Sequence, residues 1–122
     1  MLYAILCYDN EKVVSAWTKE KDDQVMAQLG AVLKQLADDK RLGPTARLSD
    51  TDTARTMRKG PKPLVTDGPF AETKEQLLGF YVVDCASIEQ AMEVAKQLAA
   101  ASGSDGAFEI RPLKYYQPGA LP

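Results

Sequence analysis

One stretch concentrates the side chains that could do chemistry: Val65 to Tyr81, VTDGPFAETKEQLLGFY. Asp67 opens a turn signal, Asp67-Gly68-Pro69, in which Gly68 tolerates backbone angles barred to other residues and Pro69 fixes its own φ. A carboxylate in such a turn serves one of two ends. It is a general base or ligand anchor at a cavity rim, or it accepts hydrogen bonds from neighbouring amides and orders the corner. Glu72, Lys74 and Glu75 follow with no apolar residue among them. They position a polar ligand, or they form a solvated face or an intersubunit ion-pair set. Upstream, Arg55, Arg58 and Lys59 supply cations. Arg presents a planar fork matched to carboxylate or phosphate, and pairing with Glu72 and Glu75 is the competing use. Arg111 offers the same chemistry near the C-terminal end. Tyr8 and Tyr81 join an apolar ring to a hydroxyl and suit a pocket wall or a packed interface. Trp17 either lids a pocket or packs on the first helix. Asp67 is therefore the candidate catalytic group, with Tyr8, Arg55, Arg58, Glu72, Lys74 and Arg111 as candidate ligand contacts.

What the chain lacks narrows the chemistry. It has no histidine, so Ser-His-Asp and Cys-His arrangements are excluded. Proton transfer near neutral pH then needs a carboxylate with a raised pKa, a Lys or Tyr with a lowered one, or a thiol. Two cysteines without histidine do not make a zinc set. Cys7 and Cys85 both fall at strand positions and read as reduced, buried thiols of a cytoplasmic protein. The eight glycines are scattered and form no phosphate-cradling loop. No metal and no cofactor are expected. A net charge of −2 gives no electrostatic reason to expect nucleic acid. No apolar run is long enough for a membrane span, and the N-terminus opens on a strand without a signal-peptide pattern. At 122 residues, 45% hydrophobic and 26% charged, the chain reads as one globular domain with a short tail from about residue 115.

The elements that must position these residues follow from periodicity. Leu2 to Tyr8 is apolar at every position, with Leu2, Ala4, Leu6 and Tyr8 on one face and Tyr3, Ile5 and Cys7 on the other. Glu11 to Trp17 is ambiguous, compatible with a short helical turn. Lys21 to Lys40 reads as a helix, its stripe built from Val25, Met26, Leu29, Val32, Leu33, Leu36 and Ala37, and Gly43-Pro44 is expected to stop it. Two short strands, 45–49 and 54–59, flank the turn Asp50-Thr51-Asp52 and read as a hairpin. Leu77 to Asp84 is a second strand apolar on both faces. Ser87 with Gln90 makes a capping box for a second helix that Ser102-Gly103 closes. The last strand, about Ala107 to Leu113, contains Pro112 and belongs at an edge. This order is the split βαβ pattern of a ferredoxin-like α+β fold. Its two helices cover one face of the sheet. The apolar residues of the other face then call for a second chain, so a homodimer is expected.

Asp67-Gly68-Pro69-Phe70, followed by Ala71-Glu72-Thr73-Lys74-Glu75, resembles the DGPF signature of the YCII-related proteins. The likeness extends more loosely from Leu2-Tyr3-Ala4-Ile5-Leu6 to Glu109-Ile110-Arg111-Pro112. It implies a ferredoxin-like fold that dimerises into an α+β barrel. Some relatives carry a His–Asp pair, which this chain cannot copy, and one branch is a dehydrochlorinase acting on an aromatic substrate. Members of the DGPF type are often linked with extracytoplasmic-function sigma factors. The expected function is small-molecule binding. The alternatives are a cofactor-free lyase or hydrolase-like enzyme using Asp67, with its pocket between sheet and helices, and a regulatory module of transcription control.

Overall fold

The alternating apolar run at the N-terminus forms β1 (Leu2–Asp9), and the second such run forms β5 (Gln76–Asp84). Between them lie α1 (Glu11–Ser15), α2 (Lys19–Asp38), β2 (Leu42–Arg47), β3 (Arg55–Met57) and β4 (Val65–Asp67). After β5 come α3 (Ile88–Ser102) and β6 (Ala107–Pro112). The computed structural model describes residues 1–122. Four strands form one antiparallel sheet in the order β2-β5-β1-β6, while β3 and β4 pair only with each other. With α2 and α3 on the sheet, this is a ferredoxin-like α+β fold with β1 and β5 central and β6 at an edge.

Local signals set the helix ends. Asn10 caps α1 by accepting the N–H groups of Lys12 and Val13, and Thr18 caps α2 through Lys21 N–H at 3.1 Å. The Ser87 hydroxyl accepts Gln90 N–H at 3.2 Å, and the Gln90 side chain reaches back to Ala86 N–H at 2.6 Å, closing the box one residue earlier than expected. Gly103, at φ +66°, ends α3 in the left-handed region.

Two sequence expectations are corrected. Gly43-Pro44 does not stop α2. The helix ends at Asp38 in a Schellman motif, with Lys40 N–H bonded to Ala37 O, Arg41 N–H to Leu36 O, and Lys40 itself at φ +57°. Gly43-Pro44 lies inside β2, where the register with β5 shifts between Leu42 and Thr45. The two short strands also do not form a hairpin with each other. β2 is an edge of the main sheet, and β3 finds its partner in β4, with Arg55 opposite Asp67 and Met57 opposite Val65. The turn between β2 and β3 is a 3₁₀ turn, Thr51–Thr53, anchored to the start of α1 by Thr51 N–H and hydroxyl on the Glu11 carboxylate. That tether turns the chain toward α1 instead of back along β2.

The core lies where the two central strands meet the helices. Tyr3, Ile5 and Val83 pack against Leu36 of α2 and against Ala91, Val94, Ala95 and Leu98 of α3. The alternate residues Leu2, Ala4, Leu6 and Phe80 point to the opposite face and are only half-buried. Cys7 and Cys85 are free thiols, the first half-buried and the second buried.

Candidate ligand pocket

Helix α2 is tied into the core near its C-terminal end by Leu36, whereas from Asp22 to Leu33 it borders an open volume against the sheet. This cavity is about 260 Å³. From the helix, Val25, Leu29 and Leu33 line it at four-residue spacing, one stripe along the axis. Trp17 lines it from the link between α1 and α2, a place set by the Asn10 and Thr18 caps on either side. Tyr81 and Gly79 contribute from β5, Thr45 and Arg47 from β2, and Cys7 and Asp9 from β1. Gly79 is required by close approach: a Cβ there would sit 2.3 Å from the Ala46 carbonyl oxygen. The bare backbone lets β2 draw in and carries Arg47 to the rim.

Three charged groups face the cavity. Arg47 Nη2 lies 2.9 Å from Asp22 Oδ1, and Nη1 lies 3.4 Å from Oδ2, a two-pronged pair that ties β2 to α2. The hydrogen bond from Arg47 holds the Asp22 carboxyl below the ordinary carboxylate range, and the same bond pushes the guanidinium up. Asp9 differs. It is only 7% exposed, its Oδ1 accepts Asn10 N–H at 2.8 Å, and no Lys or Arg pairs with it. The neighbouring Cys7 thiol is pushed up to about 11, first by burial and then by the Asp9 charge. Burial likewise pushes the Tyr81 phenol up, with Cys7 adding to the effect and Arg47 opposing it. Near neutral pH the cavity therefore presents a neutral thiol and phenol and one self-paired Arg–Asp couple, beside an Asp9 that no cation pairs. No three His, Cys, Asp or Glu side chains gather into a metal-binding set.

The residues marked in the sequence lie elsewhere. None of Asp67, Arg55, Arg58, Glu72, Lys74 and Arg111 lines the cavity. Asp67 is 89% exposed and faces Arg55 across the β3–β4 hairpin, with Arg55 Nε 3.1 Å from Oδ1. Its carboxylate takes no backbone amide. The corner is held by Gly68 N–H on Ala54 O and by the Thr56 hydroxyl on Gly68 O, both at 2.9 Å. Arg58 stacks on the Phe70 ring, 5.0 Å from its centroid, and forms no bridge to Glu72 or Glu75. Glu72 and Lys74 are exposed on the run into β5. Arg111 Nε lies 3.9 Å from Glu109 Oε2 on the edge strand. Tyr8 donates to Glu109 Oε1 at 3.5 Å and lines a separate cleft of about 40 Å³ that shares Cys7 and Asp9 with the main cavity. Tyr81 and Trp17 do line the cavity.

Arg47, Asp22 and Asp9 escaped the sequence reading, although a signal for two of them exists. Counting by two from Tyr3 through Ile5 and Cys7 arrives at Asp9, the same face of the strand. Asp22 lies three residues before Val25, on the inward side of the helix. Arg47 carries no such mark, because the sequence pattern of 45–59 reads as a hairpin outside the main sheet.

The pattern of the YCII-related domain matches residues 1–117. The chain belongs to the YCII-related family. This YCII-related protein is also 53% identical, over 123 residues, to the uncharacterized protein R00369 of Rhizobium meliloti (strain 1021), a match covering 100% of this chain and 99% of that one. The similarity thus runs through both the cavity and the β3–β4 hairpin. No helix is long and apolar enough to cross a membrane.

Proposed function

We propose that this YCII-related protein binds a small, largely apolar molecule in the cavity between α2 and the sheet. The observation that carries the reading is the cavity's make-up. A wall of Val25, Leu29, Leu33, Trp17 and Tyr81 surrounds a few convergent polar groups, the usual composition of a ligand site. A thermal-shift screen tests it, because a ligand that binds only the folded state raises the melting temperature. The expected result is a hit whose shift is abolished in Leu29→Trp, which fills the cavity, while that variant still melts cooperatively. Hits that shift Leu29→Trp as strongly as the parent protein would place the ligand elsewhere.

A cofactor-free lyase or hydrolase-like activity on a small, possibly aromatic substrate is the second reading. Asp9 favours it, since a buried carboxylate beside a bound ligand is placed to accept a proton. Asp67, exposed on the hairpin, reaches a ligand only outside this cavity. Turnover of a screened ligand lost in Asp9→Asn and kept in Asp67→Asn is the expected outcome; the reverse would move the site to the hairpin.

The same proposal includes a homodimer. The accessible surface of one chain is 8807 Å². A compact monomer of 13.3 kDa exposes about 6,500 Å². The surplus of about 2,300 Å² exceeds the ~800 Å² per partner that a standard interface buries, and the half-buried Leu2, Leu6 and Phe80 provide an apolar surface for one. Sedimentation equilibrium at micromolar concentration is expected to give twice the chain mass; a stable monomer would refute it.

A further inference from the structure

The charges around the cavity do not cancel. Arg47 is taken by both oxygens of Asp22, so that couple contributes no net charge. Asp9 remains, more than nine-tenths buried and aimed into the cavity without a cation. Every element packed around it leaves it unbalanced. Cys7, on its own strand, is a neutral thiol, and Tyr81 of β5 is a neutral phenol. Gln76, its partner in the β5 register, is uncharged, as are Ser102 at the end of α3 and Ser104 in the α3–β6 turn. That turn presses close: a Cβ on Gly106 would lie 2.8 Å from Asp9 Cγ. Lys12 of α1 and Lys21, the latter 4.9 Å from the Trp17 ring centroid, are both exposed, and neither forms an ion pair with Asp9. A carboxylate withdrawn from water with a hydrogen bond but no counter-charge is costly, and the cost is relieved when a cation enters beside it. The aromatic walls point the same way, since ring faces attract cations.

We infer that the ligand of this cavity is a cationic amine with an apolar body, its ammonium group on Asp9 and its body along Val25, Leu29 and Leu33. The inference rests on the small-molecule reading above and names the ligand class for that site. The Asp22–Arg47 couple sharpens the selection. An anionic ligand at Arg47 competes with Asp22, which already holds both terminal nitrogens, and it then faces the Asp9 charge. An amine meets neither obstacle.

Three probes of one shape and different charge test this on the full chain: phenethylamine, 2-phenylethanol and 3-phenylpropionate, titrated by calorimetry at neutral pH and low salt. Phenethylamine is expected to bind at least about tenfold more tightly than the alcohol, the usual strength of a hydrogen bond to a charged group, with 3-phenylpropionate weakest. In Asp9→Asn the ratio of amine to alcohol affinity should fall to about one. Should that variant fail to fold, the ranking of the three probes on the parent protein decides. The alcohol or the acid binding as tightly as the amine would overturn the amine inference and leave the pocket reading standing. No binding by any probe, joined to an empty thermal-shift screen, would overturn both.

Discussion

The β3–β4 hairpin and the α2–sheet cavity are opposite kinds of place. The hairpin holds the most conspicuous residues of the chain, and it exposes them: Phe70 is 73% exposed and Asp67 89%. Its charges are answered locally, Asp67 by Arg55 across one ladder rung and Arg58 by the Phe70 ring. The cavity draws on residues from six separate segments, none conspicuous alone, and withdraws one carboxylate from solvent without a counter-charge. Side chains whose charges are met by neighbours and water need no ligand. A group left unmatched in a recess is a better indicator of function than a motif that stands out in the sequence.

The largest test of the contrast compares two glycines. A methyl on Gly79 would run into the backbone of Ala46 at 2.3 Å, so Gly79→Ala should displace β2 and lower stability by at least about 2 kcal/mol. Gly68, at φ +98° with open space around it, should cost about 1 kcal/mol on replacement by Ala, from backbone strain alone. Equal melting temperatures for the two variants would erase the distinction between a packed floor and a free corner.

Cys7 reports on the cavity directly. Raising the thiol from 9.0 to about 11 cuts its thiolate fraction about a hundredfold, so alkylation by iodoacetamide at pH 8 should be slower than that of a free thiol by that order. Because the native state favours the protonated thiol, the linked stability is present below about pH 9 and lost as pH rises toward 11. Cys7→Ala should flatten that alkaline decline in a pH series of melting curves. Rapid alkylation would mean that the cavity wall opens.

On the hairpin, Asp67→Asn and Asp67→Ala should each change stability by less than about 1 kcal/mol, the range of exposed ion pairs. Amine affinity should be unaltered in both, measured by the calorimetric titration. A loss of affinity without loss of fold would bring the hairpin into the site.

The smallest effect belongs to the rim. The Asp22 carboxyl is held below its ordinary value of 3.8 by Arg47, so its contribution is present above that pH and is lost as the pH falls through the lower native value. The couple is partly exposed, which keeps the contribution within the ~0.2–1 kcal/mol of such pairs. Asp22→Asn should therefore unfold with a shallower acid limb in circular dichroism, and added salt should shrink the difference. An unchanged limb would show that the pair does not hold α2 to β2.

Local rules were enough for much of this chain. The two-faced alternation of Leu2–Tyr8 and of the run from Leu77 marked the central strands, Ser87 and Gly103 bounded α3, and Pro112 marked an edge, because each signal lies within a few residues of what it determines. Partner choice lay beyond them. That β2 joins the sheet while β3 waits for β4, that Lys40 rather than Gly43-Pro44 ends α2, and that the corner at Gly68 needs no carboxylate all depend on contacts between distant segments. The cavity is the extreme case. Asp9, Asp22, Arg47 and Tyr81 are spread over more than half the sequence, and only the register of β2 and β5 and the lie of α2 bring them around one volume. The sequence alone determined which faces are apolar; tertiary structure decided which polar groups those faces enclose, because enclosure is a property of packed elements and not of any one of them.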